Sequence, residues 1–272
     1  MSNIVKRTIT GVVFVLLIIL SILAGQVYFA GLFLIVTTIA LWEFYSLIKL
    51  KEVSANKFAG VVAGVFLFAS NAAIALEWAP REIIHINFLS IFLIFLMELY
   101  RKNPHPFTNI AFTFFGVLYV AVPLTLLNYI PNPAFENNTY LHAILMGFFI
   151  LVWVNETGAY VVGMSFGKHK LFERVSPKKT WEGVIGGGLL CFAAAFVLSL
   201  YFVDITLLDW IAISSIIVVF GTYGDLFESM FKRSIKTKDS GVLLPGHGGV
   251  LDRFDGVFMA APFVYVYLLL IF

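Results

Sequence analysis

"GVIGGGLLCFAAAFVLSLYF", residues 183–202, runs for twenty residues without a single charge. A helix crosses the hydrocarbon core of a bilayer in about 20 mainly apolar residues, so this stretch reads as a transmembrane span. It also holds Cys191, the one cysteine of the chain. A lone cysteine excludes an intrachain disulfide and a cysteine-based metal site, and inside an apolar run it acts as a small buried hydrophobe.

Working outward, the rest of the chain has the same character. Hydrophobic residues make up 60% of 272 positions and charged residues 12%, with a mean hydropathy of +0.94, which is the composition of an integral membrane protein. Nine runs qualify as spans: 8–24, 27–48, 58–76, 83–100, 107–130, 141–163, 183–202, 207–227 and 254–272. The fourth is the most interrupted, by His85, Asn87 and Glu98. The first follows Lys6 and Arg7 like a signal peptide, but Ile22-Leu23-Ala24 is a poor cleavage site, so it is expected to be a retained anchor.

The loops test that count. With the N-terminus cytoplasmic, the inner segments collect seventeen of the eighteen Lys and Arg residues and the outer loops hold only Arg81. Such asymmetry is what the positive-inside rule demands, and an odd error in the number of spans would scramble it. The expected fold is therefore all-α and polytopic, with about nine transmembrane helices and the C-terminus outside. We expect one membrane domain over 1–272, in which 1–140 serve lipid access and 141–272 carry the site. The net charge of +2 decides little, and no nucleic acid partner is expected.

Two long inner segments hold the polar residues. The first, "GKHKLFERVSPKKTWEG" (167–183), gathers five cations and His169 at the membrane surface. Ser176-Pro177 and Thr180 are residue types that start helices, so Lys178 and Lys179 are expected beside a helix N-terminus, where free amides favour phosphate. The alternative is a basic loop that only attracts anionic headgroups. No P-loop motif is present.

The second segment follows Gly224. Asp225 and Glu228 are three apart where the eighth span emerges, and Asp252 and Asp255 repeat the spacing before the ninth. That spacing would put each pair on one helical face. Four carboxylates near a membrane repel one another unless cations lie among them. A divalent ion answers this, and oxygen-only ligands point to magnesium, which completes its shell with water and substrate phosphates. Surface ion pairs with Lys232, Arg233, Lys236, Lys238 and Arg253 are the alternative, each worth little. They do not account for "PGHGG" (245–249), whose glycines let backbone amides approach a ligand closely. His247 among them is suited to binding phosphate or to acid–base work. Zinc is disfavoured for want of a second His or Cys at ligand spacing.

These residues carry a resemblance. "SMFKRSIKTKDSGVLLPGHGGVLDRFD", Ser229 to Asp255, is similar at every fixed position to the signature of the phosphatidate cytidylyltransferases, also called CDP-diacylglycerol synthases. "GAY" at 158–160, "FGKHKL" at 166–171 and "SPKKTWEG" at 176–183 extend the likeness over the second half. The first half resembles the family in hydropathy and span number. Two positions depart from its pattern: Asn155-Glu156-Thr157 stand where Asp-Ser or Asp-Thr is expected before "GAY", and Gly256 stands where serine is common.

The resemblance implies an enzyme that joins CTP to phosphatidic acid and releases pyrophosphate, leaving CDP-diacylglycerol in the cytoplasmic (inner) membrane with its active site on the cytoplasmic face. It implies Asp225, Asp252 and Asp255 at the metal, one magnesium ion or two, with Asp239 a weaker candidate. Lys178, Lys179, Lys232, Arg233, Lys238 and Arg253 would hold substrate phosphates, with Ser229 beside them. His247 and the amides of Gly248 and Gly249 would contact the triphosphate or the leaving group. Glu43 in "WEFY" and Glu98 in "FLMELY" fall near inner span ends; they either line a lipid-access cavity or close its wall by hydrogen bonds. A homodimer through the spans is compatible with this reading. The alternatives are a CTP-dependent lipid kinase and an anion transporter. A CDP-alcohol phosphatidyltransferase is disfavoured by the absence of its DGxxAR motif with later paired aspartates.

Overall fold

A computed structural model describes residues 3–48, 53–132, 140–237, 240–241 and 248–272. Lys238, Asp239 and His247, and most of the outer segment after the fifth span, lie outside the described residues.

The described chain is helical almost throughout. In order it forms α1 (Asn3–Ala24), α2 (Gln26–Ile48), α3 (Lys57–Ala75), a 3-10 turn (Arg81–His85) leading into α4 (Ile86–Leu99), and α5 (Pro106–Gly116). A π-helical turn (Val117–Ala121) continues α5 into α6 (Val122–Leu126). Then follow α7 (His142–Phe166), the strands β1 (Lys170–Phe172) and β2 (Ser176–Thr180), α8 (Trp181–Tyr201) and α9 (Leu207–Ile216). A second π-helical turn (Ile217–Gly221) continues α9 into α10 (Thr222–Ser234), and a 3-10 turn (Leu251–Arg253) precedes α11 (Asp255–Ile271). Among the described residues, seven helical segments are long and apolar enough to cross a membrane, and two shorter apolar helices, Thr8–Ala24 and Asp255–Ile271, account for the remaining expected spans. The protein is a polytopic all-α membrane protein. Phe88, Leu89, Phe92, Leu93 and Leu96 of α4 stand exposed, as lipid-facing side chains must.

Local chemistry sets the helix ends. Gly25 breaks α1 from α2 at φ 120°, a backbone angle that only glycine takes without strain. Asn56 caps α3 by accepting from Ala59 N at 3.0 Å. Thr206 and Asp209 close α9 with a capping box, two otherwise unpaired amides satisfied at once.

The chain packs as two compact units, and the division is not sequential: Met1–Tyr129 with Ile235–Phe254 form one, Ile130–Ser234 with Asp255–Phe272 the other. In the first unit Tyr45 of α2 is the central plug. It is buried and its hydroxyl donates to Thr113 O at 2.6 Å, while its ring fills the space left by Gly60 of α3 and Gly116 of α5. Glu98 is hydrogen-bonded, as the second of its two expected roles requires: it accepts from Asn109 Nδ2 at 2.8 Å and pairs with Arg101 at 2.6 Å. Arg101 also donates to Ser54 O and Oγ, each at 2.9 Å, so the segment before α3 is pinned to the end of α4.

In the second unit small residues bring α7 and α8 into backbone contact. A Cβ on Gly187 would meet Asn155 O at 2.7 Å and Ala159 N at 2.9 Å, and one on Gly183 would meet Ala159 O at 2.8 Å and Gly163 Cα at 3.1 Å. The "GAY" and "WEGVIGGG" stretches are thus a small-residue seam of the kind that drives helix association where lipid gives no hydrophobic force. Gly224 does the same for α10 and α11, with no room for a Cβ against Asp255 O and Met259 Cβ.

Three expectations need correction. Ser176-Pro177 do not start a helix: residues 176–180 are a strand paired antiparallel with β1, Lys170 opposite Thr180 and Phe172 opposite Ser176. Proline steers its predecessor towards extended backbone and is tolerated on an edge strand; Thr180 alone is the cap, accepting from Gly183 N at 3.2 Å. Asp252 and Asp255 do not share a helical face either. Asp252 belongs to the 3-10 turn, Phe254 breaks it at φ −120°, and Asp255 begins α11. The helix of the eighth span also runs further than expected: α10 extends to Ser234, so Ser229, Lys232 and Arg233 are helical along with Glu228 rather than part of a polar loop.

Candidate active site

α10 presents a polar stripe within the second unit. Asp225 and Ser229 are one turn apart, and Ser229 Oγ donates to Asp225 Oδ1 at 3.3 Å. The other oxygen of Asp225, Oδ2, forms an ion pair with Lys179 Nζ, delivered by β2. Glu228 and Lys232, again one turn apart, pair at 3.0 Å. Their exposures separate two roles. The Lys179 and Asp225 side chains keep 24% and 38% of their surface open, whereas Glu228 is fully buried and Lys232 only 13% exposed. Lys179–Asp225 is reachable by a ligand; Glu228–Lys232 is an internal brace.

Asp255 completes the cluster. It accepts from Gly256 N at 2.7 Å and lies within electrostatic range of Asp225, Lys179 and Lys232. The close approach at Gly224 is what allows two carboxylates from successive helices to stand side by side, and the two lysines offset their repulsion. The hairpin that supplies Lys179 is itself tethered: Glu182 in the first turn of α8 accepts from Lys168 N and His169 N, each at 3.1 Å, and its Oε1 lies 2.6 Å from His169 Nδ1. Lys178 is exposed on the same strand, and Arg233 is exposed at the end of α10. Here the two departures from the family pattern meet. Glu156 Oε1 is 3.4 Å from where a Cβ on Gly256 would stand, so the longer carboxylate faces the position that lacks a side chain.

The first unit holds the rest of the described signature. Asp252 Oδ2 accepts from both Ser240 N and Gly249 N, each at 2.9 Å, holding these two residues together. Gly248 has φ 86°, an angle that suits glycine, and Arg253 is exposed. Glu43, expected from sequence either to line a lipid-access cavity or to close its wall by hydrogen bonds, accepts from Leu251 N at 2.9 Å. Its role was hidden because its partner lies 208 residues away in the chain.

No group of three or more His, Cys, Asp or Glu side chains is spaced to hold a metal among the described residues. The Asp225–Asp255 pair still fits magnesium in chemistry: both offer hard oxygen donors, and this ion uses one or two carboxylates and takes the remaining positions from water and phosphate.

The chain is similar over almost its whole length to proteins of known activity. A phosphatidate cytidylyltransferase of Staphylococcus aureus is 34% identical over 268 residues, 97% of this chain and 98% of the relative. One of Staphylococcus haemolyticus is 32% identical over 265 residues, with the same two shares. One of Bacillus subtilis is 31% identical over 272 residues, 99% of each. With the profile of the cytidylyltransferase family matching residues 5–271, over a seam and a charge cluster built from that family's motifs, the chain belongs to the cytidylyltransferase family.

Proposed function

We propose that the protein transfers the cytidylyl group of CTP to phosphatidic acid, giving CDP-diacylglycerol and pyrophosphate for phospholipid synthesis. The observation that carries this reading is the end-to-end likeness to phosphatidate cytidylyltransferases; the exposed Lys179–Asp225 pair beside Asp255 agrees with it. A phosphate oxygen of phosphatidate forms a bond to the α-phosphorus of CTP. The bond from that phosphorus to the bridging oxygen breaks, and pyrophosphate leaves with the electron pair. Two polyanions must meet for this to happen, so cationic groups have to offset charge on the approach and on departure.

Asp225 and Asp255 would hold magnesium, which when bound supplies positive charge to the substrate phosphates. Lys179 then exchanges its Asp225 partner for a phosphate, Lys178 and Arg233 bind phosphate at the open surface, and Lys232 adds its field from the Glu228 brace. Ser229 orients the Asp225 carboxylate. Asp252 serves by holding the Ser240 and Gly249 amides. On the strength of the signature alone, Lys238, His247, Arg253 and the Gly248 amide are assigned to phosphate contacts, and Asp239 to the metal. The attacking oxygen is already ionised near neutral pH, so no strong general base is required. The cation asymmetry of the loops favours the cytoplasmic face of the inner membrane for the site.

The purified protein in detergent, given magnesium, phosphatidate and labelled CTP, is expected to yield CDP-diacylglycerol and pyrophosphate. CDP with a phosphorylated lipid would instead identify a lipid kinase, and anion flux into liposomes without CTP turnover a transporter.

A further inference from the structure

We propose that Glu43 of α2 is a positioning residue for the signature, holding Ser240, Gly241, Gly249 and Leu251 and so fixing where the Gly248 amide and Arg253 stand towards substrate phosphate. The inference rests on the reaction proposed above and extends it to the first half of the chain, all of the groups involved lying within the first unit.

A carboxylate on an apolar membrane helix is costly and normally faces a partner or a functional cavity. Glu43 is 8% exposed. Its Oε2 accepts from Leu251 N, and Leu251 is fully buried, so without Glu43 that amide would lose its acceptor away from water. Beside this bond, Asp252 ties Ser240 N to Gly249 N. The two carboxylates together hold Ser240 and Gly241 against Gly249 and Leu251.

The glycines show how tightly Glu43 is fitted. Neither Gly241 nor Gly249 has a positive φ, so backbone freedom does not account for them. A Cβ on Gly241 would lie 2.6 Å from Glu43 Oε1, and one on Gly249 would collide with the Glu43 carboxylate and Ser240 Oγ. The small residues of the signature at these two positions are the space that the Glu43 side chain occupies.

The test uses the full-length protein in detergent and the variants Glu43→Ala, Glu43→Gln, Gly249→Ala and Glu43→Ala/Gly249→Ala. Hydrogen exchange at the Leu251 amide is expected to accelerate in Glu43→Ala. Its kcat/KM for CTP should fall about tenfold or more while KM for phosphatidate stays within about twofold. Glu43→Gln, which still accepts from Leu251 N, should stay within about threefold of the parent. Gly249→Ala should cost a larger factor in the parent than in the Glu43→Ala background, where the collision is gone. Unchanged kinetics for both substrates in Glu43→Ala, even with a lowered melting temperature, would overturn the proposal. So would an equal cost of Gly249→Ala in both backgrounds. Should the parent protein make no CDP-diacylglycerol, the reaction assignment falls by itself, and slow exchange at Leu251 persisting in Glu43→Ala would then sink the positioning role independently.

Discussion

At the scale of single residues, exposure separates chemistry from architecture on α10. An ion pair as open as Lys179–Asp225 contributes at most about 1 kcal/mol to stability. Asp225→Asn is therefore expected to leave the melting temperature nearly unchanged while lowering kcat by about 100-fold or more, the usual cost of removing a charged group aimed at a phosphoryl transition state. Glu228→Ala should behave in the opposite sense. It deprives a nearly enclosed Lys232 of its carboxylate, a loss of about 3–5 kcal/mol that denaturation in detergent would register. A second pair tests the departures from the family pattern. Glu156→Asp should lower turnover, and adding Gly256→Ser should recover part of it, because residues in contact couple by about 0.5–3 kcal/mol; additive losses would show that their closeness carries no function. Asp225 and Lys179 were legible in the sequence because a charge in an apolar chain must have a reason. The shared face of Asp252 and Asp255 was misread because helical periodicity was carried across a turn that Phe254 ends.

At the scale of elements, the α7–α8 seam is the feature whose disruption should matter most for the frame of the site, since α8 follows directly from the strand bearing Lys179. Gly187→Val would force a Cβ and two further carbons into Asn155 O and Ala159 N, where backbone rather than a flexible side chain must yield. A loss of about 2–3 kcal/mol is expected, read as a lowered melting temperature and as activity lost on mild heating. Gly31→Ala on α2 is the matched control. A Cβ there meets nothing within 4 Å, so the change should be neutral or stabilise by about 0.5–1 kcal/mol through helix propensity. Hydropathy made every helix legible in outline, but two elements stayed hidden. The β1–β2 hairpin is too short and too polar to show an alternating pattern, and the last turns of α10 bear charges that read as a loop until Glu228–Lys232 and Asp225–Ser229 are seen as one-turn pairs. The π-helical turn just before α10 had no sequence signal; such turns recur near functional sites, and this one immediately precedes the helix that presents Asp225.

At the scale of the whole molecule, orientation decides whether the site faces the compartment that holds CTP. The cation count argues that it does, because the basic segments between spans alternate with loops nearly devoid of Lys and Arg. Thiol labelling gives a direct reading, since the only native cysteine, Cys191, is fully buried and supplies a quiet background. Lys170→Cys, on the hairpin before α8, should react with an impermeant maleimide only from the cytoplasmic side. Asp204→Cys, exposed in the turn after α8, should react only from the opposite side. Trp78→Cys, exposed between α3 and the 3-10 turn leading into α4, tests the weakest span. If α4 crosses the membrane, three crossings separate residue 78 from residue 170 and the two label from opposite sides; if α4 lies in the interface, they label from the same side. The extensive exposure of α4's apolar residues is compatible with either placement, whereas the charge rule favours the crossing: only with α4 counted as a span do Lys49, Lys51 and Lys57, which precede or begin α3, fall on the same side as Arg101, Lys102 and the hairpin lysines. Opposite labelling of 78 and 170, with 170 cytoplasmic, is the expected outcome, and labelling of both from one side would reduce the span count and overturn the inferred topology.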